Sequence, residues 1–144
     1  MKYSLGFLTF LILGFTNHAQ GASFPKTDIP AFIAKNLNLR SFPNSLRPRM
    51  DGTRSSVTFS DLALVPTRLT ADIIEFDTDD WFYSLQIIEQ GKEIRDNEYL
   101  YVCFVDHSKV GSYSTVTPLR LSYSSGKTTA AEAASSAACK RFSR

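Results

Sequence analysis

The fold is decided by the stretch Trp81-Phe82-Tyr83-Ser84-Leu85-Gln86-Ile87-Ile88-Glu89. Aromatic and branched side chains fill this stretch, and such residues are enriched in β-strands. Successive side chains of a strand point to opposite faces of its sheet. One face therefore carries Trp81, Tyr83, Leu85 and Ile87, and the other carries Phe82, Ser84, Gln86 and Ile88. We predict a strand over residues 81–89.

A second stretch, residues 99–105, is apolar on both sides. Alternation places Tyr99, Tyr101, Cys103 and Val105 on one face and Leu100, Val102 and Phe104 on the other. A strand with two apolar faces is typical of a position inside a sheet. We predict a central strand here, separated from the first by a turn at residues 90–92.

The flanking sequence adds further strand-like segments. Residues 68–76 alternate and lead into a polar turn at residues 77–80, while residues 55–64 alternate with Val57 and Phe59 inward. Residues 114–123 form a final strand, in which Pro118 indicates a sheet edge or a bulge because proline donates no ladder hydrogen bond. The pattern therefore predicts about five antiparallel strands.

Two helices are predicted outside these strands. Asp28 as an N-cap and Pro30 in the first turn begin a helix over about residues 29–38. Thr129 and Glu132 have capping-box spacing in front of an alanine-rich run that reaches about Phe142. The predicted fold class is α+β: an N-terminal helix, an antiparallel sheet, and a C-terminal alanine-rich helix packed on the sheet.

The first 21 residues have the layout of a secretory signal peptide. Lys2 precedes an apolar run, residues 5–15, that is too short to span a bilayer. Small residues then allow cleavage after Ala19 or after Gly21. The sequence thus predicts residues 22–144 as one exported domain, periplasmic or secreted, with no transmembrane anchor in the mature chain.

The two cysteines of the chain, Cys103 and Cys139, both lie in the mature part. An even pair in a small exported domain favours one structural disulfide. The alternative is a reactive or metal-bound pair. Cleavage of the leader would remove His18 and leave His107 as the single histidine, so a zinc ligand set is not expected. We predict a Cys103–Cys139 bridge that ties the last helix to the central strand.

The charge balance excludes few function classes. The formal charge of +2 falls to about +1 without Lys2, because the leader holds no other charged residue. The densest basic group, Arg40, Arg47, Arg49 and Arg54, is interrupted by proline and glycine. Nucleic-acid binders more often carry a continuous basic stripe. Nucleic acid is therefore not expected as a partner, and no motif indicates a cofactor.

Three features invite a chemical interpretation. The turn at residues 77–80, here called the acidic turn, carries three aspartates and has Glu75 close by. It offers the oxygen ligands that calcium prefers, although it lacks the pattern of an EF-hand loop. His107 lies between Asp106 and Ser108, but sequence neighbours cannot converge as a catalytic triad, so a hydrolase would need a serine such as Ser114 from elsewhere. The pattern Ser124-x-x-Lys127 stands without its companion motifs.

These observations favour a protein that acts by contact. We predict an exported non-enzymatic protein that binds a macromolecular partner, such as an inhibitor or immunity protein against a cell-envelope hydrolase or toxin. Its predicted contact residues are Asp77, Asp79, Asp80, Trp81, His107 and Lys109. The alternatives are a small secreted hydrolase that uses His107, and an envelope protein that binds a lipid or glycan through an aromatic face.

Overall fold

Six antiparallel strands form one sheet whose spatial order, β1-β2-β3-β4-β5-β6, is also their order along the chain. The computed structural model describes residues 23–92, 98–134 and 137–142. The elements are α1 (Ile29–Asn36), 3₁₀ turns at Leu39–Ser41, Arg47–Arg49 and Ser60–Leu62, β1 (Arg68–Leu69), β2 (Ile73–Asp77), β3 (Trp81–Lys92), β4 (Glu98–Ser108), β5 (Ser114–Ser124), β6 (Lys127–Glu132) and α2 (Ala137–Lys140). The predicted α+β class with an antiparallel sheet is confirmed.

Some predictions concern residues outside these ranges. The signal peptide predicted at residues 1–21 lies outside the described residues. Within the described part of the chain, no helix is both long and apolar enough to cross a membrane.

The turn predicted at residues 90–92 is wrong, because Gly91 and Lys92 pair with Tyr99 and Glu98 and prolong the two central strands.

The sheet has two different faces because side chains alternate along its strands. The inner face is covered by α1 and by residues 37–64, here called the cover segment, which supply Ile33, Leu37, Phe42, Leu46 and Phe59 to the core. The sheet side of this core comes from buried residues of β2 to β6: Ile74, Phe76, Tyr83, Leu85, Leu100, Val102, Phe104, Leu119, Leu121 and Ala130. The predicted sides of β3 and β4 are confirmed, as is the central position of β4.

The cover segment is irregular where the sequence predicted a strand over residues 55–64. Val57 and Phe59 are buried, as the alternation required. The Phe59 ring stacks on Phe76 of β2 with its centroid 4.0 Å away, so the segment lies across the inner face and not beside a strand. Its backbone bonds therefore go elsewhere: Leu39 N donates to Val57 O (2.8 Å), and Val57 N donates to the Asn38 side chain (3.2 Å).

Helix α1 begins at the predicted place with a different cap. Pro30 occupies the first turn, where its missing N–H removes no helical hydrogen bond. Asp28 adopts a left-handed conformation (φ 55°, ψ 37°), and its side chain makes no capping hydrogen bond. A capping side chain needs an extended backbone at that position, so the predicted Asp28 cap is wrong.

The chain forms its sixth strand where the sequence predicted the start of a helix. Ser125 and Gly126 have φ values of 50° and 77°, and two positive φ values in a two-residue loop favour a tight hairpin. Thr129 and Glu132 accordingly pair with Ser122 and Leu119 in the β5–β6 ladder and do not cap a helix. The predicted C-terminal helix is present but short, since α2 begins only at Ala137.

Pro118 lies in an internal strand, yet it occupies a position where no ladder hydrogen bond from its nitrogen is needed, as expected for proline in a sheet. β5 is flanked by β4 and β6, so the strand as a whole is not an edge. Pro118 O accepts a hydrogen bond from Ala133 N (2.9 Å), one residue beyond the end of β6. In an antiparallel ladder the nitrogen and oxygen of a residue face the same neighbour. The proline nitrogen therefore faces the point where β6 ends, and no ladder bond is lost.

The Cys103–Cys139 disulfide is confirmed, with 5.4 Å between the two Cα atoms. Cys103 lies on the outer face of β4, opposite Pro118 of β5. The bond therefore holds α2 and the residues after it against the outer face of the sheet.

Removal of this bond is expected to lower the free energy of unfolding by about 2–4 kcal/mol, because the bridge closes a long loop in the unfolded chain. Denaturant unfolding of the Cys103→Ala/Cys139→Ala double variant would measure the change, with circular dichroism to confirm that the sheet persists. An unfolding free energy equal to that of the oxidised chain would contradict the prediction.

Candidate functional site

Two loops meet at one end of the sheet, here called the tip: the β2–β3 turn at residues 78–80 and the β4–β5 loop at residues 109–113. Lys109 joins them. Its backbone N donates to Asp80 O (2.8 Å), and its Nζ donates to Thr78 O (2.7 Å) and lies 2.9 Å from Asp77 Oδ1. These three contacts from one residue fix the loops relative to each other.

Each loop is also closed by its own hydrogen bonds. In the turn, Thr78 N donates to Trp81 O (2.9 Å) and Trp81 N donates to Thr78 Oγ1 (3.1 Å). In the loop, Ser108 N donates to Tyr113 O (2.9 Å) and Gly111 N donates to Ser108 Oγ (3.0 Å). The tip is thus a hydrogen-bonded framework that presents side chains in fixed directions.

The structure brings all six predicted contact residues to the tip but divides them between the two faces. Asp79 and Asp80 are exposed in the turn itself. Asp77, His107 and Lys109 line the outer face. Trp81 belongs to the inner face, where its ring stacks on Tyr83 with centroids 6.0 Å apart. A single flat surface therefore does not contain all six side chains.

Two residues outside these six, Val110 and Tyr113, extend the tip. The Tyr113 ring lies 5.5 Å from Trp81 and is 43% exposed, while Val110 is 75% exposed. Loop residues follow no periodicity, so the pattern did not place Val110 or Tyr113 on a contact surface. Together with the carboxylates of Asp79 and Asp80, they give the tip a mixed apolar and acidic surface.

Beneath the tip, Asp106 is a buried carboxylate with only 1% of its surface exposed. Ser45 of the cover segment donates to it twice, from its backbone N and from its hydroxyl, each at 2.7 Å. The Tyr83 hydroxyl lies 3.5 Å from Ser45 Oγ. Period-two alternation carried two residues beyond Phe104 would have found this residue, since Asp106 shares a side of β4 with Val102 and Phe104.

Burial dominates the electrostatics of this group. It raises the pKa of the Asp106 carboxyl above its ordinary value, and the hydrogen bonds from Ser45 and from the Tyr113 side chain only partly oppose the shift. Burial also raises the pKa of the Tyr83 hydroxyl. The arrangement holds the cover segment on β4, and its carboxylate is enclosed and does not face solvent.

The outer face shows no hydrogen-bonded serine–histidine pair among the described residues. His107 lies between Phe82 of β3 and Ser114 of β5 in the strand register. Among the described residues, no hydrogen bond joins its imidazole to a hydroxyl or a carboxylate. Ser124 and Lys127 close the β5–β6 hairpin as paired strand residues.

The acidic turn is not arranged as a metal site in the described part of the chain. Glu75 lies 3.2 Å from the guanidinium of Arg68, and Asp77 contacts Lys109. No group of three or more histidine, cysteine, aspartate or glutamate side chains among the described residues is placed to hold a metal ion.

Comparisons with protein-family models, with curated proteins and with solved structures found no match.

The raised pKa of Asp106 predicts a pH dependence of stability. In the folded chain Asp106 binds its proton at a higher pH than in the unfolded chain, whose value is near 3.8. Between the two values the folded state holds more protons, so the free energy of unfolding falls as the pH rises through that window. Relative to an Asp106→Asn variant, the natural chain should lose stability from about pH 4 upward.

Asp61 provides a matched control, because its effect on the free energy of unfolding should change with pH in the opposite direction. Its exposed carboxylate accepts hydrogen bonds from Thr58 N (2.8 Å) and Thr58 Oγ1 (2.9 Å), which lower its pKa. Relative to an Asp61→Asn variant, the natural chain should gain stability as the pH rises. Denaturant unfolding at several pH values measures both differences, and the same slope for the two variants would contradict the assignment.

Proposed function

We propose that this protein is a non-enzymatic binding protein and that the tip is its contact surface for a macromolecular partner. The observation that carries the proposal is the fixing of two loops by Lys109, which presents Val110 and Tyr113 beside Asp79 and Asp80. A surface that is rigid before binding loses little conformational entropy when a partner docks.

The composition of the tip supports the same proposal. Aromatic residues supply much of the energy at protein interfaces, and Tyr113 is a half-exposed ring supported from below by Trp81. Asp79 and Asp80 make no ion pair with another described residue, so their charge is available to a partner. Charge of this kind steers association and selects partners of opposite sign. The partner surface should therefore be basic, with an apolar recess for Val110 or Tyr113.

In its specific form, the proposal is an exported inhibitor or immunity protein against a cell-envelope hydrolase or toxin. The Cys103–Cys139 disulfide supports an oxidising compartment, because such bonds persist outside the cytosol. The predicted signal peptide supports the same location outside the cytosol. Inhibition requires a rigid surface that occludes an active site, and the tip projects from one end of the sheet in a way that suits such docking.

The experiment is the recovery of a partner with the oxidised chain, followed by binding and activity measurements on that partner. Val110→Asp should weaken the complex about tenfold or more, because it places a charge at the apolar part of the contact. Asp79→Lys/Asp80→Lys should slow association, with a loss that shrinks at high salt. The natural chain should inhibit a recovered hydrolase at one-to-one stoichiometry.

Val65→Asp is the matched control, since Val65 is 76% exposed, as much as Val110, and belongs to the cover segment's C-terminal flank outside the tip. It should leave affinity and inhibition unchanged. Equal binding of a stoichiometric partner by the Val110 and Val65 variants would refute the tip as the contact surface.

A further inference from the structure

A groove of about 550 Å³ lies on the outer face of the sheet, next to the tip. Its floor is formed by β2 to β5, and its wall is formed by Arg141 and Phe142, the residues that follow α2. The volume is within the range of small-molecule sites, about 300–1,000 Å³. The groove exists because the Cys103–Cys139 bond holds the C-terminal residues over the sheet.

The apolar part of the groove is made of side chains that the strand alternation places outward. Ile73, Phe82 and Val105 form an apolar floor, and the Phe142 ring faces it from the wall. Apolar side chains that water reaches on a concave surface gain free energy when a ligand covers them. The groove therefore suits a ligand with an apolar body.

The polar part contains a hydroxyl that the protein does not use. Ser84 is only 7% exposed and lines the groove, yet its hydroxyl has no hydrogen-bond partner among the described residues. The neighbouring Gln86 differs, because its amide donates to Asp72 Oδ2 (2.8 Å). The Ser84 hydroxyl is not one of the fully buried unpaired atoms of the described residues, so it is open to the groove and can bond a polar atom of a ligand.

The charges of the groove select the sign of that ligand. The two carboxylates on β2 already have cations, since Glu75 pairs with Arg68 and Asp77 pairs with Lys109. Arg141 has no carboxylate partner among the described residues, and its guanidinium lies 4.9 Å from the centroid of the Phe142 ring. A guanidinium binds carboxylate, sulfonate or phosphate oxygens through charge-assisted hydrogen bonds. The cation without a counter-charge therefore favours an anion.

We propose that the outer groove binds a small amphipathic anion, with its apolar body between Phe82 and Phe142 and its charged group on Arg141. The Ser84 hydroxyl donates a hydrogen bond to the bound molecule. The ligand is a free small molecule and not the surface of a membrane, because the groove is bounded by the C-terminal wall on one side and by the tip on the other. The proposal does not depend on the partner of the tip.

Two fluorescent probes test it: anilinonaphthalene sulfonate, and phenylnaphthylamine, which has the same ring system without the sulfonate. The oxidised chain should bind the sulfonate at one saturable site. Arg141→Gln should weaken sulfonate binding about fivefold or more and leave phenylnaphthylamine binding unchanged. Phe142→Ala should weaken the binding of both probes, and Ser84→Ala should weaken sulfonate binding without loss of folding.

Arg47→Gln and Val65→Ala are the matched controls, because both residues are exposed and lie outside the groove. Equal sulfonate affinities for the Arg141 and Arg47 variants would overturn the proposal. So would binding of the chain to anionic phospholipid vesicles without any saturable probe site. Val110→Asp should retain probe binding, so a failure of the tip proposal would be distinguished from a failure here.

Discussion

The antiparallel pairing of β3 with β4 is the constraint on which the rest of the structure depends. The two strands face each other from Trp81–Ser108 at the tip to Lys92–Glu98 at the other end. The register places Leu85 opposite Phe104 on the inner face and Gln86 opposite Cys103 on the outer face. A shift of one residue would exchange the two faces of a strand, so it would expose core residues and turn Cys103 away from Cys139.

The same register explains why one end of the sheet carries two different surfaces. On the inner side, Tyr83 and Asp106 meet Ser45, and this contact fixes the cover segment below the tip. On the outer side, Phe82 and His107 face away from the core and contribute to the groove. Neighbouring residues of β3 and β4 therefore have different roles. The inner side chains, Tyr83 and Asp106, hold the cover segment, whereas the outer ones, Phe82 and His107, line the groove.

Much of this architecture could be predicted from the sequence, because strand alternation is a local property. The faces of β3 and β4 and the Cys103–Cys139 bond follow from residue types and spacing. The sixth strand did not follow, because Thr129, Glu132 and their alanines favour a helix locally. The Ser125-Gly126 hairpin overrides that preference by placing the segment beside β5, where ladder bonds form.

The candidate surfaces likewise depend partly on the local sequence and partly on contacts between residues far apart in the chain. The joining of the two tip loops was implied only by the antiparallel order of the strands, which brings residues 77–81 and 107–109 to one end. The contacts of Lys109, the exposure of Val110 and the wall formed by Phe142 depend on distant parts of the chain. No window of the sequence contains both Ser45 and Asp106, so their hydrogen bonds had no local signal.

The contacts between the cover segment and β6 have a consequence for the order in which the chain folds. Every strand pairs with its neighbour in the sequence, so the sheet can grow progressively from its central hairpin. The N-terminal cover segment is different: Asn38 N donates to Thr128 O (2.9 Å), and Ala130 N donates to Ser41 Oγ across 89 residues (2.8 Å). These contacts do not exist until the last strand is in place. A chain interrupted before Lys127 therefore lacks the hydrogen bonds that join the cover segment to β6, and the core closes fully only in a chain that extends through β6.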